Sequence, residues 1–222
     1  LLKGNDPSKD QSYFLYTLGQ AELQHTLFPI GTMLKSEVRQ IARSLGMPNA
    51  DRKDSTGICF IGERRFRDFL ARYLPPSPGQ ICTLDNTVIG EHQGLWFYTL
   101  GQRHGLDIGG PGDAWYVAAK DMARNVLRVV QGHDHPALMR NSAQAEELSW
   151  VENDPPQFPF RCSAKTRYRQ ADQACTLSSI GPGKIEITFE QPQRAITPGQ
   201  ALVLYDGSRL IGGGVFCDLI NG

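Results

Sequence analysis

The 222-residue sequence predicts an α+β protein of several domains, with helical segments near its amino terminus and an antiparallel β-barrel at its carboxyl terminus. Three observations support this prediction. A helical apolar period occurs near residue 40, within a first part that we interpret as α/β. From residue 80 onward, short apolar runs alternate with turn residues. Beyond residue 141, strands with regular turn signals indicate a small barrel of about 80 residues.

The helix predicted between Ser36 and Gly46 is the clearest local element of the first part. Ser36 is typical of an N-cap residue, and Gly46 is typical of the C′ residue that follows a helix. Two further helices are predicted over residues 10–18 and 66–74, and residues 27–31 are typical of a buried strand end. The apolar face of the first helix consists of Val38, Ile41, Ala42 and Leu45.

The remaining sequence predicts strands. WYVAAK (115–120) and NVLRVV (125–130) flank a short polar loop and predict a hairpin. IEITFE (185–190) alternates between apolar and polar residues, and ALVLYDGSRLIGGGV (201–215) carries an Asp-Gly pair suited to a tight turn. Other apolar runs, including LWFYTLG, are also predicted strands. We expect a boundary between a central and a carboxyl-terminal domain near residue 140.

Composition excludes several classes of protein. The 23 basic and 23 acidic residues balance, so no global positive field marks a nucleic-acid binder, although a local basic patch is compatible with this. No apolar run approaches the ~20 residues of a membrane-spanning helix, so we expect no membrane contact. The five cysteines are scattered without CxxC spacing, which argues against a disulfide scaffold or a thiolate zinc site. We therefore expect reduced thiols, a cytoplasmic protein and no metal site.

Cys59 is the candidate catalytic residue. It lies in DSTGICFI beside Gly57 and follows the cationic pair Arg52 and Lys53, and nearby cations favour the thiolate form that a nucleophile or sulfur carrier needs. Its neighbours are also apolar, so the sequence equally allows a small buried side chain. For the other four cysteines, which alternate within strand-like runs, we predict core positions.

Two short segments are candidate binding sites. Lys9, Asp10 and Gln11 precede a predicted helix and suit contacts to phosphate and sugar oxygens, although the same residues suit an ordinary solvated helix start. SAKTRYRQ (163–170) is locally basic and contains Tyr168. Its cations are Lys165, Arg167 and Arg169. A strand would place all three on one face, where they could either contact phosphate or be solvated.

Several motifs, taken together, closely resemble the bacterial tRNA-specific 2-thiouridylase family, in order across residues 1–220. They include KDQSYFL, DSTGICFIG, KTRYRQ and TPGQALVLYDG followed by IGGG. The resemblance implies an enzyme that uses ATP with Mg²⁺ to activate the wobble uridine of a tRNA anticodon and replaces its O2 oxygen with persulfide sulfur. It further implies a tRNA anticodon stem-loop as partner, and a sulfur-relay protein or cysteine desulfurase as persulfide sulfur donor.

The resemblance also implies roles for individual residues. Cys59 matches the cysteine that carries the persulfide, and a second cysteine that would pair with it belongs upstream of Leu1 in the family. The positions that match the tRNA contacts of the family are Lys9, Asp10, Gln11, Arg167, Tyr168 and Gln200.

The family pattern predicts three domains in this chain. Residues 1–62 correspond to the remainder of a Rossmann-like catalytic domain, residues 63–140 to a small mixed α/β central domain, and residues 141–222 to a tRNA-contacting antiparallel barrel. The family's SGGxDS pyrophosphate loop has no match in the sequence. Because the chain also begins without Met, we expect a fragment that is inactive by itself.

Two other functions are compatible with the residues. The barrel can be a non-catalytic RNA-binding module with an inert Cys59. Alternatively, Cys59 can serve a thiol hydrolase together with a distant histidine such as His104, provided that the fold brings the two together.

Overall fold

The computed structural model describes residues 1–52 and 73–220. These residues belong to two compact units, which are described separately below. The larger unit joins the amino-terminal segment to the residues from Arg140 onward, and the smaller unit ends at Met139. The predicted helix over residues 66–74 and the predicted catalytic Cys59 fall largely or wholly outside the described residues. The predicted α+β class, with a carboxyl-terminal antiparallel barrel, is confirmed.

The larger unit contains a closed barrel of six strands in the order β10-β5-β8-β7-β6-β9. Apolar side chains alternate along the strands and fill the interior, where Leu177, Ile187, Leu204 and Phe216 are at most 1% exposed. The last two strands form the predicted hairpin, with Gly207 at its tip. The strands are β5 (Met139–Trp150), β6 (Phe160–Lys165), β7 (Gln173–Gly181), β8 (Lys184–Arg194), β9 (Ala201–Asp206) and β10 (Arg209–Ile220).

The smaller unit contains a four-stranded mixed sheet in the order β2-β1-β4-β3. β3 and β4 form the predicted antiparallel hairpin, and β1 pairs with β4 in parallel. LWFYTLG does not form the predicted strand, because a 3-10 turn over Leu95–Phe97 buries Leu95 in the core of this unit instead. The strands are β1 (Gly79–Cys82), β2 (Val88–His92), β3 (Trp115–Asp121) and β4 (Val126–Gln131).

The amino-terminal segment carries two α-helices, α1 (Gln20–Leu23) and α2 (Lys35–Ser44). α2 is the helix predicted from the apolar period, and Gly46 takes the expected C′ position with φ +64°. The backbone N–H groups of Gly46 and Met47 donate to carbonyls of the last turn, which is the Schellman arrangement.

Ser36 is not the N-cap of α2, which corrects the prediction. The N-cap is Leu34, whose backbone N–H donates to the Glu37 carboxylate over 2.8 Å. The Asp6 carboxylate, brought from upstream, accepts the N–H of Lys35 over 2.9 Å. Two carboxylates at the positive end of the helix dipole take the place of the single hydroxyl that the local sequence indicated.

Two other predicted elements are shorter or absent. Residues 10–18 form only a 3-10 turn over Ser12–Leu15, because Tyr13 and Ser12 are drawn toward the barrel. Residues 27–31 form turns rather than a strand end, with the N–H of Gly31 donating to Phe28. Among the described residues this stretch pairs with no strand.

The amino-terminal segment packs directly on the barrel. Leu2 bridges to Arg209 at the start of β10, and the N–H of Lys3 donates to the carbonyl of Ser208. The ring of Tyr16 lies on Gly213, where a β-carbon would come within 2.6 Å of the ring and 2.4 Å of the Leu202 carbonyl oxygen. The glycines of IGGG thus allow the segment and the strands to approach closely.

Replacing Gly213 with alanine should lower the free energy of unfolding by about 3 kcal/mol, because neither the backbone of β9 nor the ring of Tyr16 can move aside cheaply. Urea unfolding followed by circular dichroism measures this change. Gly4→Ala is the matched control, since a β-carbon there meets no atom closer than 3.8 Å. Equal stability of the two variants would contradict the packing described here.

Candidate nucleic-acid interface

Two segments far apart in the sequence meet on one side of the barrel. The 3-10 turn Ser12–Leu15 lies against the loop of residues 166–170 that follows β6. The Tyr13 hydroxyl donates to the carbonyl of Ala201 over 3.1 Å and lies 3.4 Å from that of Thr166. The rings of Phe14 and Tyr168 contact each other with centroids 4.6 Å apart. The structure therefore joins the predicted KDQ and RY positions into one surface.

Asp10 is held inside this junction. One carboxylate oxygen accepts the backbone N–H groups of Gly4 and Ser12 over 3.1 and 3.0 Å, and the other accepts the Ser12 hydroxyl over 3.0 Å. The Lys165 ammonium lies 3.9 Å away, and the Asp10 side chain is only 7% exposed. The carboxylate thus fixes the turn that carries its neighbours Lys9 and Gln11.

Tyr205 forms the floor of the junction. It is fully buried, and its hydroxyl shares a hydrogen bond of 3.1 Å with that of Ser12. The ammonium groups of Lys3 and Lys165 lie 4.1 and 5.4 Å from the centre of its ring. Burial raises the pKa of Tyr205 to about 12, and the negative charges of Asp10 and Asp172 also raise it.

Asp172 completes the charge balance of the junction. Its carboxylate pairs with the Lys3 ammonium and lies 3.7 Å from that of Lys165. Two carboxylates and two ammonium groups therefore surround Tyr205, and neither sign is left in excess. Since one lysine and one aspartate come from the amino-terminal segment and the others from the barrel, this network ties the two together.

The basic segment does not continue as a strand, which corrects the prediction that its cations share one face. β6 ends at Lys165, whose side chain turns inward to the aspartates. Residues 166–169 form a turn in which Arg169 has φ +65°. Arg167 and Arg169 are exposed on this turn, so two of the three cations remain on the surface.

Neutral side chains hold the turn in shape. The Gln170 side-chain carbonyl accepts the N–H and the hydroxyl of Thr166 over 2.8 and 2.9 Å. The Gln170 amide in turn donates to Gln193, which is 4% exposed and donates to Gln173. This chain of amides links the turn to β7 and β8, so the exposed arginines start from a fixed backbone.

Arg167 stands near a further cation that the sequence analysis did not single out. Its guanidinium donates to the carbonyl of Ala195 over 3.1 Å. Partial burial lowers the pKa of Arg167, and the nearby charge of Arg194 lowers it further. No local pattern marks Arg194 or Phe14 as site residues: Arg194 ends a strand, and Phe14 lies in the stretch predicted as a helix over residues 10–18.

Gln200 lies directly before Ala201, the residue that anchors Tyr13. Its side-chain oxygen accepts the N–H of Thr197 over 3.1 Å, and its carbonyl accepts the N–H of Phe216 over 2.9 Å. Gln200 therefore belongs to the same end of the barrel as the junction.

Among the histidines and cysteines that the structure describes, His92, Cys82 and Cys175 are buried in the fold. His92 is fully buried and accepts the N–H of Gly94 over 3.1 Å. Cys82 and Cys175 are buried, as predicted for core positions, and a hydrogen bond shared with the Cys162 thiol, together with burial, raises the pKa of the Cys175 thiol. Within residues 1–52 and 73–220, no three His, Cys, Asp or Glu side chains are grouped to hold a metal ion.

The start of α2 is not suited to bind the phosphates of a nucleotide. The Asp6 and Glu37 carboxylates already occupy that end of the helix. Hydrogen bonds from Ser8 and from the N–H of Lys35 lower the pKa of Asp6, which keeps it negatively charged. A phosphate there would meet like charge.

Comparison with known proteins finds matches along nearly the whole chain. Three family models match consecutive parts of the chain: the tRNA methyl transferase HUP domain over residues 1–63, the tRNA methyl transferase PRC-barrel domain over 67–131 and the aminomethyltransferase beta-barrel domain over 140–216. The tRNA-specific 2-thiouridylase of Alkalilimnicola ehrlichii is 58% identical over 220 residues, which cover 97% of this chain. Over nearly its whole length, the chain is thus similar to proteins named tRNA-specific 2-thiouridylases.

Further proteins named tRNA-specific 2-thiouridylases are similarly close in sequence. Those of Ralstonia pickettii and Thiobacillus denitrificans are 59% and 56% identical, over 97% and 98% of this chain. The chain spans 60%, 59% and 62% of the lengths of these three relatives. In the part of the chain that the structure describes, no helix is long and apolar enough to cross a membrane.

Replacing Asp10 with alanine should lower the free energy of unfolding of the larger unit by about 3 kcal/mol, because it leaves buried N–H donors without their acceptor and removes one of the two carboxylates beside the Lys165 ammonium. Urea unfolding measures the change. Asp51→Ala is the control: Asp51 pairs with Arg43 at the surface, where both side chains are more than half exposed, and should cost at most about 0.5 kcal/mol. Equal effects would contradict the assignment of Asp10 to a buried network.

Proposed function

We propose that this chain is part of a tRNA-uridine 2-sulfurtransferase that thiolates the wobble uridine of the anticodon, using ATP activation and a cysteine persulfide. The observation that carries the proposal is the surface on which Gln11, Phe14, Arg167 and Tyr168 meet. Similarity to proteins named tRNA-specific 2-thiouridylases supports the reaction.

The anticodon stem-loop is the proposed ligand of this surface. Exposed guanidinium groups at Arg167 and Arg169 suit phosphate oxygens, and the rings beside them suit unpaired bases. Lys9 and Gln11 are proposed to contact the RNA from the opposite side of the junction. Asp10 is proposed to act through its neighbours, since its carboxylate is already committed to Gly4, Ser12 and Lys165. Gln200 is proposed as a contact at the rim.

A local basic surface reconciles RNA binding with a net charge of zero. The lysines of the junction are neutralised by aspartates, so the positive charge offered to a ligand comes from the arginines of the 166–170 turn and from Arg194. Binding should then depend on a few phosphates of one folded RNA rather than on bulk attraction.

Cys59 is proposed to carry the transferable sulfur. A sulfur-relay protein or cysteine desulfurase would load it, leaving a thiol on the donor and a persulfide on Cys59. The outer sulfur would form a bond to C2 of the adenylated uridine, whose O2 oxygen would leave with AMP. A second thiol would then attack the Cys59 sulfur, which breaks the persulfide bond, leaves the outer sulfur on the uridine and forms a disulfide with Cys59. ATP and Mg²⁺ are proposed to be bound mainly by the amino-terminal domain of the family, whose pyrophosphate loop has no match in this sequence.

We further propose that the chain works in the cytoplasm. Cys82, Cys162, Cys175 and Cys217 are free thiols, and the sulfur atoms of the cross-strand pair Cys162 and Cys175 lie 3.7 Å apart without a bond. A persulfide relay needs thiols that stay reduced between turnovers, and a reducing compartment keeps them so.

A non-catalytic RNA-binding module with an inert Cys59 is the second candidate. The observation that favours it is that the whole described interface lies within the larger unit, so that binding RNA needs no residue near Cys59. The two candidates agree on the binding surface and differ in whether the Cys59 sulfur moves.

Replacing Arg167 with alanine should weaken binding of an anticodon stem-loop and reduce the slope of log Kd against log salt by about one, because one phosphate contact is lost. Fluorescence anisotropy over a range of salt concentrations measures both changes. Arg161→Ala is the matched control, since Arg161 lies on β6 and pairs with Glu190 over 2.7 Å. An unchanged slope would show that Arg167 touches no phosphate.

Replacing Cys59 with serine should abolish the labelled sulfur that the chain acquires from a cysteine desulfurase and labelled cysteine, while the melting temperature and the affinity for RNA stay the same. Alkylation followed by mass spectrometry locates the label. Cys217→Ser should keep the label and serves as the control for a partly exposed thiol of the barrel. Absence of label on the unmodified chain would favour the non-catalytic module.

A further inference from the structure

Phe14 is an exposed aromatic residue within an otherwise ordered junction. It is 56% exposed, whereas Ser12 and Tyr13 on the same 3-10 turn face the barrel. The part of a large apolar ring that stays in water does not stabilise the folded state. Ser12 and Tyr13 show that other side chains of the same turn are directed toward the barrel. The exposure of Phe14 therefore calls for a role outside the folding of the chain.

The ring of Phe14 is held in place by two other rings. Tyr13 meets it edge-on, with centroids 5.4 Å apart and planes at 90°. Tyr168, which is distant in the sequence, contacts it with ring centroids 4.6 Å apart. The Phe14 backbone N–H also donates to Gln11 within the turn. The side chain is thus fixed before any ligand arrives, which reduces the entropy lost on binding.

Positive charge stands beside this ring. The Arg169 guanidinium lies 5.3 Å from the centre of the Tyr168 ring, and Arg167 is exposed one residue before Tyr168. Surfaces that bind single-stranded nucleic acid combine an aromatic face, on which a base stacks, with cations that hold the flanking phosphates. Phe14 is 56% exposed whereas Tyr168 is only partly exposed, so Phe14 offers the larger free surface to a base.

We propose that Phe14 stacks against an unpaired nucleobase of the bound RNA, with Arg167 and Arg169 on the phosphates next to that base. This inference rests on the proposed function and adds a residue that neither the spacing of the sequence nor the resemblance singled out. It assigns recognition of single-stranded RNA to the junction itself: a loop base would contact the ring, and the loop phosphates next to that base would contact the cations.

The test uses the 222-residue chain and a short RNA hairpin that carries 2-aminopurine in its unpaired loop. Phe14→Ala and Phe14→Leu should raise Kd about tenfold and remove the quenching of 2-aminopurine that stacking produces, while Phe14→Trp should retain both. The salt slope should not change in any of them, because no charge is lost. Phe28→Ala is the matched control, because Phe28 is another exposed phenylalanine of the same unit and is 45% exposed.

Each outcome separates this inference from the proposed function. If Arg167→Ala weakens binding but Phe14→Ala and Phe14→Leu bind and quench as the unmodified chain does, the stacking role is wrong and the RNA-binding function stands. If the unmodified chain does not bind the hairpin, both are wrong. Fully double-stranded RNA of the same length should bind the unmodified chain and Phe14→Ala equally, since it offers no unpaired base.

Discussion

The burial of Tyr205 between two lysines and two aspartates is the interaction on which the larger unit depends. A phenol with no exposed surface, two ammonium groups and two carboxylates is costly unless every charge is balanced and every hydroxyl has a partner. Here the partners come from both the amino-terminal segment and the barrel. Neither part satisfies the group alone, so the network fixes how the segment lies on the barrel.

This arrangement explains why two motifs at opposite ends of the sequence share one surface. Lys165 is the last residue of β6, and its side chain reaches inward to Asp10. The exposed loop begins at the next residue. Asp10 in turn organises the 3-10 turn from which Phe14 projects. The same contacts that stabilise the junction thus place the residues proposed to bind RNA.

The sequence predicted those elements whose local pattern agrees with their final environment. The hairpin of β3 and β4, the hairpin of β9 and β10 and the helix ending at Gly46 were predicted because strand alternation, turn residues and helical spacing all pointed the same way. Ser36 misled because the true cap comes from Asp6, far upstream. The strand predicted through Arg169 ends at Lys165 because the Gln170 side chain, and not a neighbouring strand, accepts the backbone N–H of Thr166.

The candidate site was predicted only in part, for the same reason. The basic residues and Tyr168 form a visible local cluster, whereas nothing around Arg194 or Phe14 distinguishes a site residue from a strand end or a core position. Their importance comes from tertiary neighbours that spacing does not encode. The role of Cys59 stays a prediction from its flanking residues and the family motif, since this residue lies outside the described residues.

The glutamine chain from Thr166 to Gln173 means that the two halves of the surface are secured by chemically different means. Neutral amides hold the arginine turn, whereas paired charges join the aromatic turn to the barrel. Dissolved salt screens the attraction between charges but acts little on hydrogen bonds between uncharged groups. The half that belongs to the barrel is therefore the one whose shape depends least on the surrounding ions.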